Sequence, residues 1–192
     1  MQIDRETLLR TGIPERYWGA ETDIAMPKGR GVYLWGLVGR GKTHAACALA
    51  LRELRTGEPM YEAVTHEIVA YRRPTVRFVT MTDAKNRLGD TFGTRQSAAD
   101  LRSVLYGCDL LVLDDVGGEE PKPWSQELLW SIIDSRYNSR RRTIVTSNYS
   151  RSELAGRISS TEDTTMAMRI VSRLAEMTEA IHVEGPDRRV AR

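Results

Sequence analysis

The run Gly36-Leu37-Val38-Gly39-Arg40-Gly41-Lys42-Thr43 fills every fixed position of the pattern G-x-x-x-x-G-K-[ST]. Three glycines in eight residues let a backbone curl until its N–H groups converge on one anion, and a phosphate group is the anion such a loop fits. Lys42 is spaced to reach the β- and γ-phosphates of a triphosphate, and the Thr43 hydroxyl to bind Mg²⁺. A helix opening near Lys42 would aim the positive end of its dipole at the same point. Arg40 and His44, two residues to either side of Lys42, are grouped with Gly36, Gly39, Gly41, Lys42 and Thr43 as nucleotide-binding residues.

A second centre ends the apolar run Leu110-Leu111-Val112-Leu113 with Asp114-Asp115. Asp114 is placed to hold Mg²⁺ through its water shell, and Asp115, facing differently, to act as general base toward an attacking water. Acidic residues before Gly117-Gly118 also make plain turns; the phosphate loop upstream is what favours the chemical role. A third polar end, Asn148 after Thr143-Ile144-Val145-Thr146-Ser147, could orient the lytic water or sense the γ-phosphate. Arg169 and Arg173 lie four apart on a predicted helix and share a face. They form either a solvated basic edge or an arginine finger for a neighbouring subunit, a device contributing ~10³–10⁵ in rate.

These residues need a scaffold that brings distant chain segments to one edge. Five short apolar runs predict strands at Gly31–Trp35, Val76–Thr80, Asp109–Leu113, Thr143–Ser147 and Ala180–Val183. Their near-continuous apolar character suits strands buried on both faces of a parallel sheet. Helical patterns fill the intervals. Thr43–Arg55 is rich in Ala and Leu, and Trp124–Asn138 carries a stripe of Leu128, Leu129, Ile132, Ile133 and Tyr137. Ser150-Arg151-Ser152-Glu153 reads as a capping box, and Met166, Ile170, Leu174 and Met177 as another apolar stripe. Strands alternating with helices predict an α/β fold, a three-layer αβα P-loop NTPase sandwich on a five-stranded parallel sheet. In such a sheet the acidic strand and the phosphate-loop strand deliver their ends to the same edge. Residues 57–74 exceed an ordinary connection and read as an extra helix or a hairpin.

Composition sets bounds. The 192 residues suit one domain, and a net charge of +2 excludes a polycation, so any nucleic-acid surface must be a local cluster. Cys47 and Cys108 sit in apolar stretches without CxxC spacing and are expected as buried, reduced thiols. No apolar run approaches the ~18 residues of a membrane span. The opening MQIDRETLLR has no signal-peptide core, so a cytoplasmic protein without membrane contact is expected. An NKxD-type guanine element is missing, which favours ATP as the nucleotide.

Through GLVGRGKT (36–43), LLVLDDVG (110–117), TIVTSN (143–148), RIVSRLAEM (169–177) and EGPDRR (184–189), the chain resembles the DnaC/DnaI-type helicase loaders among the AAA+ ATPases. IstB transposition helpers and the initiator DnaA are relatives of that group. The resemblance implies that Lys42 and Thr43 are the P-loop pair, Asp114 and Asp115 the acidic motif, and Asn148 the sensor asparagine. It makes Arg173 the arginine finger, with Arg169 its companion. It also implies ATP and Mg²⁺ as cofactors, self-association into an AAA+ oligomer, single-stranded DNA binding and a replicative helicase as partner. An extra helical element would fall within residues 82–106, where Lys85, Arg87, Arg95 and Arg102 would meet phosphates and Phe92 a base. The segment Ile13–Trp18 is expected near the adenine.

Residues 1–30 are read as an N-terminal extension and 31–192 as the ATPase domain. Thirty residues are fewer than a loader's helicase-binding domain needs, and the residues after Val183 are too few for a C-terminal lid. Two alternatives stay open: an IstB-like transposition helper acting on duplex DNA, and a P-loop kinase for a small molecule.

Overall fold

The computed structural model describes residues 3–63, 65–90, 102–160 and 164–187. Helix α1 (Arg5–Thr11) and a 3₁₀ turn (Glu15–Tyr17) precede strand β1 (Gly31–Trp35) and helix α2 (Lys42–Thr56). A hairpin of β2 (Glu58–Tyr61) and β3 (Ile68–Arg72) leads to β4 (Val76–Thr80) and α3 (Met81–Asp90). A helical segment over 102–107 then enters β5 (Leu110–Asp114). The chain continues through α4 (Pro123–Asn138), β6 (Arg142–Ser147), α5 (Arg151–Ile158), α6 (Thr165–Met177) and β7 (Thr178–His182).

The sheet runs β4-β5-β6-β1-β7, and every pairing in it is parallel. Alternate residues on each strand serve opposite layers. Val32, Leu34, Leu110, Val112 and Ile144 pack with Ala46, Leu49 and Leu51 of α2. Tyr33, Leu111, Leu113 and Val145 pack with α4, α5 and α6 through Ile132, Ile133, Leu154, Ile170 and Leu174. Both faces of the central strands are therefore dry, which is why their sequences read as unbroken apolar runs. The N-terminal segment joins the α2 layer: Ile13 is buried there, and Leu8 and Trp18 pack against it.

Helix ends follow local chemistry. Asp4 Oδ1 accepts from the Thr7 N–H at 2.7 Å and caps α1, while Ser150 and Glu153 form the expected reciprocal box at α5. Both cysteines are free and buried; burial pushes the Cys47 thiol up to about 12 and raises that of Cys108.

Several boundaries differ from the sequence reading; β6, for one, starts at Arg142 and not at Thr143. The acidic strand starts at Leu110 and includes Asp114, because Asp109 turns its carboxylate to the Thr75 N–H, the Thr75 hydroxyl and Arg72, all at 2.8 Å. The last strand starts at Thr178, directly after α6, instead of Ala180. Residues 57–74 resolve to the hairpin; β2 and β3 pair antiparallel with a register shift at Met60/Tyr61, and β3 is exposed along its length.

Candidate nucleotide site

β1 ends at Trp35, and the chain turns through the glycine loop into α2, whose N-cap is Gly41. Gly39 and Gly41 adopt φ of 81° and 88°, a left-handed conformation that side chains resist. Space is a second reason at Gly39, where a Cβ would lie 2.1 Å from Asp187 Oδ1. The carboxylate of Asp187 thus sits directly against the loop's central glycine. Lys42 is buried, and its Nζ donates to the carbonyls of Gly36 and Leu37, each at 2.8 Å. The lysine so fixes the curl of the loop that it is expected to serve.

Thr43, Asp114 and Thr146 form one hydrogen-bonded cluster. The Thr43 hydroxyl donates to Asp114 at 3.0 and 3.2 Å, and the Thr146 hydroxyl donates to Asp114 Oδ1 at 2.6 Å. Burial raises the Asp114 pKa above its ordinary value, with the bonds from Thr146 and Thr43 working against that rise. A desolvated carboxylate with a hydroxyl alongside, next to a helix N-terminus and a buried lysine, fits Mg²⁺ and a triphosphate.

Asp115 leaves the strand with φ of 59°, which turns its carboxylate away from that of Asp114 and into solvent. Two bonds fix this turn: the Asp115 N–H donates to Thr146 Oγ1 at 2.9 Å, and the Val116 N–H to Thr146 O at 2.9 Å. Asn148 Nδ2 lies 3.5 Å from Asp115 Oδ1. The strand order explains this meeting. β6 lies between β1 and β5, so its end delivers Thr146 and Asn148 between the glycine loop and the carboxylates.

Lys42, Thr43, Asp114, Asp115 and Asn148 thus share one edge. Arg40 is half-buried within the loop, and His44 sits in the first turn of α2, its Nε2 3.2 Å from the Glu21 carbonyl. Tyr17 stands edge-on to His44, with ring centroids 6.1 Å apart, which places the Ile13–Trp18 segment beside the loop. Arg169 and Arg173 lie elsewhere. Both guanidinium groups stack on Trp130 of α4, at 4.4 and 4.3 Å, and Arg173 also pairs with Asp134. Neither contacts the glycine loop or the paired carboxylates among the described residues. Of the positions expected to meet DNA, Lys85 pairs with Glu119 at 2.7 Å, and Arg87 and Arg102 are exposed. Phe92 and Arg95 lie outside the described residues.

Three residues escaped the sequence reading. Thr146 looked like one more β-branched strand residue. Tyr33 looked like core, yet its hydroxyl donates to the Tyr149 carbonyl at 2.7 Å and steadies the turn after Asn148. Burial pushes the Tyr33 pKa up to about 12, so it remains a donor. Asp187 is 148 positions from Gly39 in sequence, and only the parallel pairing of β7 with β1 brings them together.

This parallel sheet, with a phosphate loop after β1 and a carboxylate pair after β5, is the fold of a P-loop nucleotide-binding protein of the AAA+ class. The chain belongs to the IstB-like ATP binding protein family, whose model matches residues 26–192. It is 26% identical over 167 residues to the replicative helicase loader DnaI of Bacillus subtilis (strain 168), covering 84% of this chain and 48% of DnaI. It is 27% identical over 120 residues to the replicative helicase loader DnaC of Escherichia coli (strain K12), covering 62% of this chain and 42% of DnaC. The chain therefore spans about half the length of these curated relatives or less. A crystal structure of the DnaC helicase loader superposes with a TM-score of 0.67 at 25% identity, covering 89% of this chain and 100% of that one. AMPPCP-bound DnaA from Aquifex aeolicus shares the fold at a TM-score of 0.61 and 18% identity, over 98% of this chain and 50% of DnaA. No helix among the described residues is long and apolar enough to cross a membrane.

Proposed function

We propose that this chain is an ATP-hydrolysing AAA+ protein that binds single-stranded DNA and assists in loading a replicative helicase in the cytoplasm. The observation that carries the reading is the cluster joining Thr43, Asp114, Thr146, Asp115 and Asn148 beside buried Lys42. Residues 31–192 form the ATPase domain in this reading, and 1–30 extend it. Mg²⁺, which Thr43 and Asp114 would hold, would offset the negative charge that develops during hydrolysis.

The protein's own groups do the rest. Gly36, Gly39, Arg40 and Gly41 cradle the phosphates with His44 alongside, and Lys42 and the start of α2 supply positive charge. Thr43 and Asp114 hold the cation. Asp115, solvent-facing and free of Asp114's burial, accepts the proton of the attacking water, and Asn148, whose Nδ2 lies 3.5 Å from Asp115 Oδ1, helps to orient that water. Arg173, with Arg169, serves a neighbouring subunit's site, so turnover depends on assembly.

The likeness to DnaI and DnaC supports a helicase as partner. The family match supports a second reading, an IstB-like helper acting on duplex DNA. The deciding experiment measures ATP turnover by wild type and Lys42→Ala with single-stranded DNA, with duplex DNA and with neither. It is paired with retention of a hexameric helicase on the immobilised chain in ATP. Stimulation by single strands and helicase retention support the loader; duplex-only stimulation supports the helper. Equal turnover by Lys42→Ala removes the nucleotide site itself.

A further inference from the structure

At the edge of the sheet opposite the glycine loop, where β1 and β6 begin and α4 and α6 end, lies a cleft of about 230 Å³. Arg30, Arg136, Arg140, Arg141 and Arg142 line it, with Tyr137 on one wall. We propose that this cleft holds the phosphodiester backbone of nucleic acid, a contact remote from the ATP site. It deepens the DNA-binding reading given above and rests on it.

Five guanidinium groups line the cleft, and two of them are already balanced: Arg141 pairs with Asp109, and Arg142 with Glu53 and Glu58. The charges of Arg30, Arg136 and Arg140 remain against one lining carboxylate, Glu176, which accepts a hydrogen bond from the Tyr137 hydroxyl at 2.5 Å. In a chain whose net charge is only +2, that is a local basic excess. Arg136 adds to it from beneath. It is fully buried, and its partners are the Thr143 hydroxyl and the carbonyls of Leu105, Tyr106, Cys108 and Arg142, with the Cys108 sulfur. None of those groups is a carboxylate, so its charge is spread over dipoles and is not cancelled.

The backbone at Arg140 is an outlier. Arg140 follows the Ser139 cap of α4 with φ of 52°, in the left-handed conformation that glycine or asparagine usually supplies after a helix. Its N–H closes the helix on the Tyr137 carbonyl at 3.1 Å. A residue held this way costs stability, and such outliers point to a use for the side chain. The Arg140 side chain is exposed and has no partner among the described residues. Its neighbours are structurally engaged: Arg142 pairs with Glu53 and Glu58, and Arg141 with Asp109 at 3.4 Å. Arg30 donates to the carbonyls of Ala175 and Thr178, both at 2.9 Å, and is thereby held at the rim.

The cationic lining is all arginine, whose planar fork matches phosphate oxygens two at a time. Exposed Arg140, with the rim-held Arg30 in the same cleft, suits a polyanion with repeated phosphates better than a single carboxylate.

The test is fluorescence anisotropy of a labelled oligo-dT and of a labelled duplex with the full chain in ATP, across a salt series. Arg140→Gly is the informative variant, because glycine suits the left-handed backbone. Its melting temperature should hold or rise, and its DNA-free ATP turnover should match wild type. Losing one phosphate contact should flatten the log–log salt slope by ~0.7 for single strands and weaken binding about fivefold near 0.1 M salt. Arg140→Lys should recover most of that loss, and Arg140→Glu should exceed it. Wild-type affinity and slope in both Arg140→Gly and Arg140→Glu would overturn the cleft and leave DNA binding standing. A wild-type chain that binds neither DNA would remove the cleft and the DNA reading together.

Discussion

Replacing Thr146 by valine keeps the shape of the side chain and deletes one oxygen that serves two neighbours. That oxygen donates to Asp114 Oδ1 at 2.6 Å and accepts from the Asp115 N–H at 2.9 Å, in a residue only 1% exposed. Valine suits a buried strand as well as threonine does, so packing should change little. A hydrogen bond to an ionised carboxylate contributes about 1.5–3 kcal/mol, and stranding the partly buried Asp115 N–H adds about 1. The expected cost is therefore ~2–4 kcal/mol, or a fall of roughly 5–15 °C in Tm for a chain of this size.

A double-mutant cycle isolates the charged part. Asparagine at position 114 still accepts from Thr146, but only as a neutral partner. Thr146→Val should thus cost about 1 kcal/mol less on an Asp114→Asn background than on wild type. The assay is urea unfolding of the four proteins in buffer free of nucleotide and magnesium, reading shifts in midpoint at constant slope. A Thr146→Val cost below about 1 kcal/mol, additive with Asp114→Asn within ~0.5, would refute the assignment of Thr146 as the link between the carboxylates.

Asp187→Asn removes a negative charge lying against Gly39, so a fluorescent ATP analogue should bind about 2–5-fold tighter, the range of a solvent-screened charge interaction; unchanged or weaker binding would count against competition between that carboxylate and phosphate. Mixing Arg173→Ala with Asp115→Ala protein should restore part of the turnover each lacks, because one supplies an intact base and the other an intact arginine. No recovery at concentrations where the chains assemble would refute a shared site. Asp109 gives a pH prediction: burial pushes its pKa up, but bonds from Arg72 and Thr75 overcome that and hold it well below the ordinary 3.8. The stability it contributes is then present above 3.8 and lost as pH falls below it, so Asp109→Asn should flatten the loss of urea midpoint between about pH 5 and pH 2.

Much of the nucleotide edge was legible because it is written in short, contiguous patterns. Gly36–Thr43 needs its glycines for backbone reasons that hold in any fold, and the apolar runs before Asp114 and Asn148 follow from two-sided burial. What escaped depends on strand order. Nothing local distinguishes Thr146 from Thr143; its role comes from β6 being inserted between β1 and β5. Asp187 meets Gly39 only through the pairing of β7 with β1. Arg140-Arg141-Arg142 is visible as a basic run, but its union with Arg30 and Arg136 needs α4, β6 and the start of β1 to be assembled. The hairpin at 57–74 was ambiguous because it lies outside the two-layered core, where burial no longer imposes a period on the sequence.

The same topology ties the arginine pair to the glycine loop of its own chain. α6 carries Arg169 and Arg173 and passes into β7 without an intervening loop. The junction is clamped from both sides: Arg30 donates to the carbonyls of Ala175 and Thr178, and the buried Thr178 hydroxyl donates to the Leu174 carbonyl at 2.5 Å. β7 then hands over to Val183, whose N–H donates to the Trp35 carbonyl at 2.8 Å at the start of the glycine loop, and His182 stacks on Trp35 at 4.0 Å. Asp187 follows four residues later. A packed helix–strand unit passes on a displacement that a loop would absorb. If Arg173 serves a neighbouring site, as proposed above, leaving Trp130 and Asp134 would load the segment that sets Asp187 over Gly39. For that reason the nucleotide affinities of Arg173→Ala, Asp187→Asn and the double variant should be non-additive where the chains assemble and additive in dilute monomer. Additivity in both conditions would show that the two ends of this segment move independently.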